Sequence, residues 1–189
     1  MRNFLRASIL LIAPLVTANA QEKPIVYPTW DIDYFAPPAT LEGLVDEADA
    51  VILGRVTGRH NEVAREERAL PRTIYGVRLL EVLKPHPKLN ASEVEIDRMG
   101  GDVERDGRID RYAERGFPDF QQGRTYVLFL SWNEYIGRFA ILRGPDSAFE
   151  INPQGRVETH GRFSAAKAQR GKHGDALLDS IRVHEKRQK

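Results

Sequence analysis

No cysteine occurs anywhere in the 189 residues. That absence excludes disulfides, thiol catalysis and a lipid-modified cysteine, so the fold rests on its apolar core. A marked excess of either charge is also missing. The 28 Lys and Arg stand against 27 Asp and Glu, and such a balance removes the simplest basis for binding nucleic acid or an acidic membrane. Long apolar runs are absent past the first twenty residues, where a spanning helix would need roughly 20 consecutive apolar positions. The histidines His60, His86, His160, His173 and His184 show no ligand spacing such as H-x-x-x-H. No serine lies in a nucleophile elbow, and no glycine loop has phosphate-binding spacing.

What is present begins with an export signature. Residues 1–20 read as a signal peptide: Arg2 and Arg6 are the basic region, residues 9–16 the apolar stretch, and Ala18-Asn19-Ala20 a small-x-small cleavage site. The expected mature protein, residues 21–189, lies in the periplasm or outside the cell. Its charge is −1, since the leader removes two arginines and no acid. Residues 21–38 carry Pro24, Pro28, Pro37 and Pro38 and read as an extended arm, with Asp31 and Asp33 alternating around Ile32.

Residues 39–160 hold the strand signals, and the strongest is Tyr126-Val127-Leu128-Phe129-Leu130. This run is too short for a helix and rich in β-branched and aromatic residues, so it reads as a strand buried on both faces. Leu41, Leu44, Val45 and Ala48 make one helical stripe, with Thr40 positioned to cap it. Strands are expected over residues 50–57, 73–83, 92–98, 135–142 and 148–151, with a glycine-marked bulge or close approach at Gly54. The face of the second strand is expected to switch, from Tyr75, Val77 and Leu79 to Leu80 and Val82. Asn133-Glu134 reads as a two-residue hairpin turn and Asn152-Pro153-Gln154-Gly155 as a type I turn. The charged residues 58–72 and the long stretch 100–123 read as connections. Residues 161–189 read as a polar linker and a C-terminal helix, with Leu177, Leu178 and Ile181 as its stripe and Asp175 as its cap. The whole is expected to be mainly β: a small OB-like antiparallel barrel with a short helix before its first strand and another at its C-terminus.

One metal candidate stands out. Asp102, Glu104, Asp106, Gly107 and Asp110 fall at positions one, three, five, six and nine of a calcium-loop pattern, with Ile109 at eight. Alternate hard oxygens around a glycine turn suit that ion. Position twelve is Ala113, with Glu114 one residue late, and Arg105, Arg108 and Arg111 interleave the acids. Trp132 and Tyr135 are the candidate binding surface, since aromatics on a barrel can stack sugars or bases. Arg55, Arg78, Arg98 and Arg138 are candidates for a basic sheet face.

Three segments taken together carry a family resemblance: ADAVILGRV (residues 48–56), VRLLEVLKP (77–85) and GRTYVLFL (123–130). In this order after a capped helix, they resemble the OB-fold modules of netrin and tissue-inhibitor-of-metalloproteinase type and their secreted bacterial relatives, over about residues 41–152. The resemblance implies a barrel that presents loops to a partner. The animal inhibitors place an N-terminal cysteine on the protease zinc, and this chain has no residue for that role. The expectation is therefore an exported, non-enzymatic binding module with a protein, peptide or carbohydrate partner, without nucleic acid or a membrane span. The alternative is an enzyme accessory or calcium-stabilised module using residues 102–114.

Overall fold

The computed structural model describes residues 25–26, 29–30, 38–62, 71–105 and 107–189. The expected signal peptide and the Asp31/Asp33 pair lie outside them. Within the arm, two dipeptide strands, β1 (Ile25–Val26) and β2 (Thr29–Trp30), are described. Helix α1 (Leu41–Glu47) follows, capped as its sequence predicts: Thr40 Oγ1 accepts from the Gly43 N–H at 3.1 Å. At its other end, Lys84 Nζ donates to the carbonyls of Val45 and Asp46 at 2.7 and 3.2 Å. A cation there meets the negative end of the helix dipole.

The strands continue as β3 (Ala50–Glu62), β4 (Arg72–Lys84), β5 (Glu93–Met99), β6 (Gly101–Arg105), β7 (Arg108–Glu114), β8 (Thr125–Asn133), β9 (Arg138–Ile141), β10 (Ala148–Ile151) and β11 (Val157–Glu158). Helices α2 (Ser164–Gln169) and α3 (Gly174–Gln188) complete the chain. The protein is mainly β, as its sequence predicts. β3 pairs with β4, β4 with β5, β5 with β9, β9 with β8, and β8 again with β3. The hydrogen bonding of these five strands thus returns on itself, and β10 and β11 extend from β8. One link, β5 with β9, is parallel where the sequence reading is antiparallel throughout.

Alternation along β8 produces two cores. Tyr126, Leu128 and Leu130 belong to one cluster with Ile52, Val56, Tyr75, Val77, Ile96 and Phe139. Val127 and Phe129 belong to the other, with Leu44, Val45, Val51, Phe149, Leu177 and Ile181. Successive side chains leave a strand on opposite faces, so the first set fills the interior of the ring and the second fixes the helices to its outside. This is why residues 126–130 read as apolar without a break. Gly54 lies at a register shift between β3 and β4, where a Cβ would come within 2.4 Å of Val77 Cγ1; close approach is what that glycine permits.

Several expectations are corrected. β3 continues to Glu62, because residues 58–62 pair with Arg72–Gly76 rather than looping out. Leu80 and Val82 remain 47% and 40% exposed, and Leu83 takes the buried place under the helices. The β3–β4 ladder shifts register at three points, which moves the outer face by more than a plain alternation allows. The stretch 100–123 contains the β6–β7 hairpin. The turn after β8 occupies four residues, 134–137, with Gly137 at φ +64°. α2 was not legible as a helix, and α3 starts from His173 without a side-chain cap bond; Asp175 lies in its first turn. The proline turn at 152–155 forms as expected, with Gly155 N–H donating to Asn152 O at 2.8 Å.

Candidate functional site

The acidic stretch folds as a hairpin rather than an ion-cradling loop. Asp102 lies opposite Arg111 and Val103 opposite Asp110. Facing residues of a ladder share a side, so Asp102 and Asp110 leave opposite faces and do not converge. Arg111 grips Asp102 with Nε to Oδ1 at 2.6 Å and Nη2 to Oδ2 at 2.7 Å, and Arg108 lies 3.1 Å from buried Asp110. Glu104 faces Ile109, and Asp106 lies outside the described residues. Among the described residues, no group of three or more His, Asp or Glu could hold a metal ion. Two of the interleaved arginines, Arg108 and Arg111, are here the partners of the acids.

The aromatic candidates divide. Trp132 is half-buried at one end of β8, with its ring 4.9 Å from Phe139 and 6.0 Å from His86, and Lys88 Nζ 5.5 Å above it. It closes that mouth of the ring. Tyr135 is 100% exposed at the following turn. The four arginines share no basic face. Arg138 is held by Glu62 and Glu95, Arg98 is buried, and Arg55 faces Arg78 across the β3–β4 ladder. The outer surface of β4 and β5 carries the Arg72–Asp97 pair, the Arg138 bridges, and a Thr57 hydroxyl donating to Glu93 at 2.9 Å. It is a lattice of alternating charge.

The built site lies at the other mouth, where residues 117–122 cross before β8 begins. Phe117 and Phe120 turn into the barrel interior and stack with each other at 5.7 Å; Phe120 also meets Tyr75 at 5.0 Å and Tyr126 at 4.8 Å. Arg98 holds this segment from within. Its guanidinium lies 3.9 Å from the Phe117 ring centre and donates to the carbonyls of Phe117 and Pro118, the latter at 2.8 Å. Asp119, half-exposed, is the hub. It accepts from Tyr75 OH at 3.1 Å, from Arg98 at 3.5 Å, and from Arg59. Burial raises the Tyr75 pKa, so the phenol stays protonated and remains a donor. Tyr126 OH accepts from the Gln121 N–H at 3.1 Å and lies 3.3 Å from Glu150; burial pushes its pKa to about 12.

Three clefts share this segment as a wall. The smallest, about 60 Å³, lies over Phe117, Phe120, Tyr126 and Glu150. Two larger ones, of about 420 and 500 Å³, lie on either side of the Arg59–Asp119 pair, which lines both. His160 lines the smallest cleft and the 420 Å³ cleft. Sequence reasoning missed Arg59, Tyr75 and Asp119, because it placed the first and last in connections and the second in the core. The signal that could have found the place was Phe117-Pro118-Asp119-Phe120, two aromatics and a proline directly before the central strand.

No known protein family matches the chain, and no curated protein sequence matches it.

The ion pairs carry a pH prediction. Glu62 is held below its ordinary 4.5 by the hydrogen bond from Arg138, Glu81 below 4.5 by that from Arg182, and Asp102 below 3.8 by that from Arg111. Depressed folded-state values mean stabilisation that is complete above the ordinary values and lost as pH falls through the depressed ones. Denaturant midpoints are expected to be flat from pH 7 to about 5 and to fall below about pH 4. Constant midpoints down to pH 3 would contradict these pairs.

Proposed function

We propose that the protein is an exported, non-enzymatic binding module and that its binding surface is the cleft system around residues 117–122. The observation that carries this reading is the shared wall. One short segment borders three clefts and is fixed in place by buried Arg98, by Tyr75 and by the Tyr126 hydroxyl. A surface that is already held in shape loses little entropy when a partner arrives. The outer face of β4 and β5, where OB-type barrels take oligonucleotides, is here a lattice of mixed-sign pairs, which favours a protein, peptide or carbohydrate partner. The resemblance to netrin-type modules is in keeping with a loop-presenting barrel.

The test is binding of residues 21–189 to peptide and glycan arrays, beside a broad hydrolase panel. The expected result is saturable binding that Phe120→Ala weakens, with no turnover. Catalytic turnover abolished by Asp119→Asn in a folded variant would replace this reading with an enzymatic one.

A further inference from the structure

The proposed binding surface has a feature that selects a chemical class of partner. The Arg59–Asp119 pair forms a bar between the two larger clefts, and its members are 44% and 49% exposed. Ion pairs this open contribute about 0–1 kcal/mol, so parting them is cheap. The two partners are also unequal. Without Arg59, Asp119 still holds Tyr75 OH at 3.1 Å and Arg98 at 3.5 Å. The Arg59 guanidinium bonds Asp119, with Asp102 near enough to feel its charge and already gripped by Arg111. Asp119 is shared between two guanidiniums, and the other partners of Arg98 are neutral carbonyls. Arg59 is therefore the partner that can leave the pair while Asp119 keeps its other donors.

The backbone beside the bar carries no ladder on its outer side among the described residues, and β6 meets it through the Asn61 side chain, whose Nδ2 donates to Asp102 O at 3.4 Å. β8 covers the outer edge of β3 only from Ala50 to Arg55. Val56 then bonds to Arg124 and Gly123, and Thr57 O accepts from the Gln122 side chain at 2.8 Å. Over residues 58–62, β3 is laddered to β4 on one side and, among the described residues, to no strand on the other. Gly58 lines the 500 Å³ cleft and Asn61 the 420 Å³ cleft, with Arg59 in both. An unpaired edge accepts an extended peptide as an added strand.

Resting on the binding reading above, we propose that this edge is a strand-acceptor site for an extended peptide segment bearing a carboxylate. The peptide lies along residues 58–62 and through both clefts. Its carboxylate takes the Arg59 guanidinium, and Asp119 is left to Tyr75 and Arg98. No covalent bond is made or broken: the peptide adds ladder hydrogen bonds along the edge, and the ion pair exchanges partners.

The test uses fluorescein-labelled β-forming peptides in matched pairs, with glutamate or glutamine at the central position, titrated into residues 21–189 by anisotropy. An ion pair on so exposed a guanidinium should favour the glutamate peptide by about two- to fivefold at low salt, and the preference should shrink as salt is raised. Arg59→Gln should erase the difference while leaving the melting temperature within a degree or two, since the pair it removes is exposed. Amide exchange should slow at residues 58–62 when the glutamate peptide is bound. Equal binding of the two peptides, or a preference that survives Arg59→Gln, overturns the proposal while leaving the binding reading intact. Binding of a uronic-acid glycan instead of any peptide also overturns the peptide assignment. Silence of every peptide and glycan overturns the binding reading itself.

Discussion

Phe129→Ala is expected to destabilise the protein by about 3–5 kcal/mol, enough to leave a cysteine-free domain partly unfolded near 37 °C. Phe129 is fully buried in the outer core, with its ring 5.6 Å from that of Phe149. It stands between the barrel and the helices, in the cluster that includes Leu44, Val45, Leu177 and Ile181. Deleting the ring removes apolar burial and leaves a cavity bounded by elements that cannot easily close on it. β8 is fixed in the ladder with β3 and β10 on either side. The same substitution at exposed Tyr135 is expected to change stability by less than about 0.5 kcal/mol. Urea denaturation of both variants checks the contrast. Equal losses would mean that β8 is not the centre of the core.

Arg98→Met is expected to cost about 2–4 kcal/mol and to weaken ligand binding beyond what that loss explains. Methionine keeps much of the apolar stem over Phe117 and relieves the buried, unpartnered Nε. It leaves the carbonyls of Phe117 and Pro118 without their donor. The segment 117–122 then loses its inner anchor while Phe117 and Phe120 stay apolar and buried. Amide exchange should quicken at Gln121, whose N–H bonds Tyr126 OH, before it quickens in β8. Arg98→Lys is expected to rescue little, since an ammonium on a single point cannot serve both carbonyls and stack on the ring. Wild-type exchange at Gln121 in Arg98→Met would remove Arg98 from the role of anchor.

Much of the fold was legible because residues 126–130 could be little else than a strand apolar on both sides, and because Thr40 and the stripe after it define a short capped helix. The site was not legible, for two physical reasons. Residues 58–62 are polar, and only their pairing with Arg72–Gly76 makes them a strand; no local pattern announces a ladder partner. Likewise, Asp102 and Asp110 alternate with arginines in a manner that suits a calcium loop until the hairpin turns them to opposite faces. Asp119 gains its significance only when Tyr75, Arg98 and Arg59, distant in sequence, reach it.

The central claim is that the mouth closed by residues 117–122 is the binding surface and the mouth closed by Trp132 is not. Amide chemical-shift mapping of residues 21–189 with the tightest-binding glutamate peptide tests it most directly. The account predicts that perturbed amides cluster at residues 58–62 and 117–122, with Trp132 and Tyr135 unmoved. Shifts centred on Trp132 and Tyr135, with Arg59 and Asp119 silent, would contradict it.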